Sequence, residues 1–108
     1  MTSNAEFDNL TVRLGDDLHN AFSRLAERRN LLVRQLHSEA IERYMARRQG
    51  GEALPFVPSR SDAKQRTVWL AKGLRDAVEE AARHDRVSKT VIALTAFSAY
   101  LDEQGDEA

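Results

Sequence analysis

Leu10-Thr11-Val12-Arg13-Leu14-Gly15-Asp16-Asp17-Leu18 is the stretch that decides how this chain is read. From Leu10 to Leu14 apolar and polar residues alternate, the pattern of a strand with one buried face. At Asp16 the period changes. Leu18, Ala21, Phe22, Leu25 and Ala26 then recur along one helical stripe. Asp16 and Asp17 fall in the first turn of that helix, where its dipole favours acids. A helix over about Asp16–Arg29 follows, and Asn30 suits the left-handed residue that ends it. A second helix covers about Leu32–Arg48, with Leu36, Ala40, Ile41, Tyr44 and Met45 facing inward, and Gly50-Gly51 stops it.

The same reading recurs further along. Shifted by 56 residues without a gap, Thr11 meets Thr67, Val12 meets Val68, Leu14 meets Leu70 and Leu18 meets Leu74. Ala21, Ala26, Ala40 and Tyr44 likewise meet Ala77, Ala82, Ala96 and Tyr100. Agreement through a strand and two helices points to a duplicated unit. In the second copy Thr67–Leu70 is the strand, about Lys72–His84 the first helix and about Lys89–Gln104 the second, with Ser88 as its N-cap. This predicts an acidic N-terminal stretch at 1–8, repeats at 9–48 and 64–104, a linker at 49–63 and an acidic tail at 105–108. One short strand or one helix pair cannot bury its apolar face alone. The two repeats are therefore expected to form one mainly helical domain. Residues 9–14 should pair antiparallel with 65–70, Thr11 facing Thr67, above a core shared by four helices.

Composition narrows the function classes. The chain has 108 residues, no cysteine and a net charge of −1. Disulfide and thiolate chemistry are excluded. No apolar run approaches the ~18 residues of a membrane span, and the N-terminus lacks the basic and apolar regions of a secretory signal. These readings suggest a cytoplasmic protein with no membrane partner. The charge is unevenly placed: residues 10–48 and 64–101 each carry +3, while 102–108 carry −4. A polyanionic partner for the two basic bodies thus remains compatible with the acidic total.

The strand running directly into an acidic helix start, twice, resembles the Arc/MetJ ribbon-helix-helix family of DNA-binding proteins. Val87-Ser88-Lys89-Thr90 is similar to the family's usual start of its second helix. The resemblance covers about 10–48 and 64–104. Family members usually pair two copies of one unit, whereas this chain carries both, similar to tandem conjugation accessory proteins of the TraY type. The resemblance implies a bacterial nucleoid- or plasmid-associated protein. Its two-stranded ribbon would enter the major groove of double-stranded DNA.

With Leu10, Val12 and Leu14 inward, Asn9, Thr11 and Arg13 face out, matched by Gln65, Thr67 and Trp69 on the other strand. Arg13 suits guanine O6/N7, Asn9 and Gln65 suit adenine N6/N7, and the threonines suit a hydroxyl or thymine-methyl contact. Polarity for solubility alone is the competing explanation, and the resemblance favours base reading. Two roles fit Trp69: lying on bases, or folding over the sheet edge. Arg66 occupies an inward position and is expected at a frayed strand start, reaching a phosphate. Ser88, Lys89 and Thr90 at a helix N-terminus, and Arg34 in the first repeat, are the remaining phosphate candidates. Leu32 replaces the capping serine there.

The last helix is apolar on more than one face, which leaves Val91 and Leu94 for self-association of units on DNA or for another protein such as a relaxosome component. Full burial of that helix is the other reading. Asymmetric strands predict a non-palindromic element, with cooperative units about one helical turn apart. His19, His37 and His84 lack metal-ligand spacing and are each expected at the surface or partly buried. No catalytic constellation is present, so no enzyme activity, cofactor or small-molecule ligand is expected. A repressor and a conjugation accessory fit equally. An antitoxin, which would carry a long toxin-wrapping tail, and a pure protein-interaction module are the alternatives.

Overall fold

In the computed structural model, which describes residues 7–104, the alternating stretch forms β1 (Phe7–Arg13). Then come α1 (Asp16–Arg29), α2 (Val33–Gln49), β2 (Gln65–Ala71), α3 (Leu74–Asp85) and α4 (Lys89–Glu103). The order strand-helix-helix thus occurs twice. β1 starts earlier than expected, so Phe7 and Asp8 belong to the strand rather than to an acidic leader. The rest of that leader and the 105–108 tail lie outside the described residues.

The strands pair antiparallel within the one chain. Thr11 faces Thr67, Asn9 faces Trp69 and Arg13 faces Gln65, the expected register. Leu10, Val12, Leu14, Val68 and Leu70 are buried beneath this ribbon. Phe22, Leu25 and Ala26 of α1 join them, with Leu36, Ile41 and Tyr44 of α2, Val78 and Ala81 of α3, and Ile92, Phe97 and Tyr100 of α4. One apolar cluster therefore takes residues from every element.

The helix ends follow from their residues. Asn30 ends α1 in the left-handed conformation, and its counterpart Arg86 does the same after α3. The Ser88 hydroxyl accepts the Val91 amide at 3.1 Å, while Leu32 has no such group and Gln35 instead reaches back to the Leu32 amide at 2.8 Å. α3 begins two residues later than expected because Gly73 holds a left-handed turn at φ 94°.

Each strand is clasped by the second helix of the other repeat. The Arg13 amide donates to the Thr90 hydroxyl of α4 at 3.2 Å, and the Ala71 amide donates to Ser38 of α2 at 2.9 Å. Ion pairs from Arg43 and Arg47 to Glu103 tie α2 to α4 on the opposite side. These pairs are partly exposed and contribute little net energy.

Three expectations are corrected here. Leu94 is 5% exposed, so it is core rather than a spare surface, and Val91 is half-buried. The second apolar face of α4 meets the inter-repeat segment: the Val57 amide donates to the buried Thr95 hydroxyl at 2.9 Å, and Leu54 and Val57 pack on the core. His37 is 4% exposed, its ring between Phe22 and Phe97 at centroid distances of 4.9 Å from each. Arg66 is not frayed: it pairs with Val12 in the ladder, and its guanidinium donates to the Leu14 carbonyl and to Asp16. That bond holds the Asp16 carboxyl below its usual pKa.

Candidate nucleic-acid interface

The outer face of the ribbon is built by period-2 alternation. Because the inward positions are taken by core residues, Asn9, Thr11, Gln65, Thr67 and Trp69 are left exposed, in cross-strand pairs. The threonine hydroxyls meet at 3.5 Å in the middle. Trp69 is 48% exposed beside Asn9.

Arg13 behaves differently from its five neighbours. Its Nη1 donates to the Ser61 carbonyl at 3.3 Å and to the Ala63 carbonyl at 3.0 Å, so the side chain is half-buried against the segment leading into β2. Among the described residues no acid pairs with it. A cleft of about 620 Å³ opens beside it between α1 and the inter-repeat segment, with Asp17, Val57, Arg60 and Lys64 in its walls.

The two flanks of the ribbon differ in chemistry. At one end stands the start of α4, with Ser88 and Lys89 exposed. Lys89 Nζ lies 3.9 Å from Glu79 of α3, a loose pairing that leaves the ammonium accessible. Thr90 departs from its expected role in part, since its oxygen already accepts the Arg13 amide. At the other end, Leu31 and Leu32 lead into α2 and Val33 opens it, all three exposed, Leu32 at 55%. Arg34 follows, its guanidinium lying over the Phe7 ring at 4.6 Å from the centroid and its Nε buried without a hydrogen-bond partner. No acid pairs with Arg34 among the described residues.

Together the structure gathers Asn9, Thr11, Arg13, Gln65, Thr67 and Trp69 on one ribbon, and places Ser88, Lys89 and Thr90 at one flank and Arg34 at the other. Arg66 stands apart, its charge directed at Asp16. No pattern of residues signals the hydroxyl of Ser38 or the carbonyls of Ser61 and Ala63, because their roles depend on segments distant along the chain. Among the described residues, no group of three or more His, Asp or Glu side chains could hold a metal ion, and no helix is long and apolar enough to cross a membrane. Comparison with family models, curated proteins and solved structures finds no match for this chain.

Proposed function

We propose that this chain is a sequence-specific double-stranded DNA-binding protein of the ribbon-helix-helix kind that lays β1 and β2 in the major groove. The observation that carries the reading is the ribbon's outer face: three cross-strand pairs of exposed or half-exposed side chains able to contact base edges, above a core that leaves them no inward role. A major groove about 12 Å wide admits such a two-stranded ribbon. The exposed N-terminus of α4, with Ser88 and Lys89, supplies amides, a hydroxyl and a charge suited to a phosphate at the ribbon's flank.

The biological roles this supports are a transcriptional repressor or regulator and a conjugation accessory factor. The outward pairs Asn9–Trp69 and Arg13–Gln65 are not interchangeable by a twofold rotation. One unit should therefore prefer a non-palindromic element. A second reading, a protein-interaction module, draws support from Leu31, Leu32 and Val33, an exposed apolar run unusual for a helix start.

Retention on duplex DNA across a salt series separates the two. DNA binding predicts that log K falls linearly with log salt. Lys89→Ala should weaken selected and random duplexes alike and flatten that slope by about 1. A wild-type protein showing no salt-dependent retention would leave only the protein-interaction reading.

A further inference from the structure

We infer that the inter-repeat turn Arg60–Ala63 is a positioning element for Arg13, setting the direction from which this side chain meets a base. The inference rests on the DNA-binding reading above. An arginine on an exposed strand would normally sample many rotamers. Here both hydrogens of Nη1 have acceptors, the carbonyls of Ser61 and Ala63. The turn that presents those carbonyls is itself fixed. The Ala63 amide donates to the Arg60 carbonyl at 3.1 Å, and the Leu14 amide donates to the Lys64 carbonyl at 2.9 Å. The Arg60 guanidinium meets Asp62 at 2.9 and 3.2 Å across the turn. Further back, Val57 anchors the same segment on Thr95.

The bonding pattern leaves a usable fork. Arginine has five donors. With Nη1 occupied, the Nη2 hydrogens and the Nε hydrogen have no acceptor among the described residues. Nη2 and Nε together form the side-on pair that matches guanine O6 and N7. The carbonyls hold the group without cancelling its charge, as a carboxylate would. Fixing one long side chain before association removes its ordering cost, equivalent to about 2- to 10-fold in affinity. Trp69, the counterpart of Arg13 in the other repeat, has no such tie among the described residues. The linker thus holds one outward side chain of the ribbon in place.

Arg60 and Asp62 are both exposed, so the double variant R60G/D62G should loosen the turn and keep the fold, as thermal unfolding will show. A duplex selected by the wild-type protein from a random pool, and a random duplex, serve as probes. The ratio of their affinities should fall about 2- to 10-fold in R60G/D62G. In an Arg13→Ala background the same pair of changes should leave the ratio unaltered. An unchanged or increased ratio in R60G/D62G, or an equal fall in both backgrounds, would overturn the inference while DNA binding stands. In the free protein, the Arg13 Nη1 hydrogens should be protected from exchange by NMR, and R60G/D62G should abolish this. Absence of protection in the wild type would also overturn it. Failure to retain any duplex at low salt would overturn the DNA-binding reading itself, and this inference with it.

Discussion

Phe22→Ala is expected to lower folding stability by about 3–5 kcal/mol, a large fraction of the ~5–15 kcal/mol that holds a typical domain. The Phe22 side chain is fully buried. Its ring centroid lies 4.9 Å from that of His37, 5.1 Å from Phe97 and 5.8 Å from Tyr100. These partners come from α2 and α4, so the cavity would open where the two repeats meet. Truncation should therefore weaken both repeats together. Urea denaturation should show one transition with a lower midpoint and an unchanged slope, and the melting temperature should drop by roughly 15–30 °C. Two separate transitions, or a loss below about 1 kcal/mol, would mean that the repeats do not share this core.

Sequence patterning revealed the ribbon well, for a physical reason. A strand slipped by one residue would turn Leu10, Val12 and Leu14 out to solvent, so alternation fixes the face. The equal offset of Thr11 and Thr67 then places the two threonines opposite each other. Asn30 signalled a left-handed helix end by its residue type. Arg86 carries no such signal, and only the repeat exposes it. His37 was readable in retrospect, since it stands four residues before the core residue Ile41 on the same helical stripe. The fate of Leu94 was not readable. An apolar helix face calls for a cover, and nothing in its spacing says whether that cover is another molecule or the chain's own Leu54–Val57 segment. Arg66 shows the same limit. Its inward position demanded a partner, but Asp16 stands in the other repeat and becomes a neighbour only after the strands pair. Arg13 is the sharpest case: its partners are backbone carbonyls, which every residue has, so no residue type announces them.

Acid should destabilise the protein in two separable windows, and His37 governs the first. Burial disfavours the imidazolium, with nearby His19 adding a smaller repulsion, and together they push the His37 pKa from 6.5 down to about 4. Its Nε2 has no hydrogen-bond partner among the described residues to offset the desolvation. In the unfolded chain the ring returns to its ordinary value near 6.5. Between these values the unfolded state binds the proton and the folded state does not, so stability falls as pH falls. Above 6.5 the contribution is complete. It is lost progressively down to pH 4, where the loss amounts to about 3 kcal/mol, and the loss then levels off. A carboxylate held below its usual pKa follows the same linkage in a lower window, since there too the unfolded state binds more protons. The Asp85 carboxyl is held below its usual range by hydrogen bonds from Arg48 and then His84, so its contribution is present above 3.8 and is lost only under stronger acid. His37→Leu keeps an apolar group of similar size against Phe22 and Phe97 while removing the titration. Denaturation midpoints measured from pH 7.5 to 4.5 should decline in the wild type, and the His37 share of that decline should be absent from the variant. Parallel curves for the two proteins would show that His37 is either accessible to protons when folded or paired in a way that keeps its pKa near 6.5.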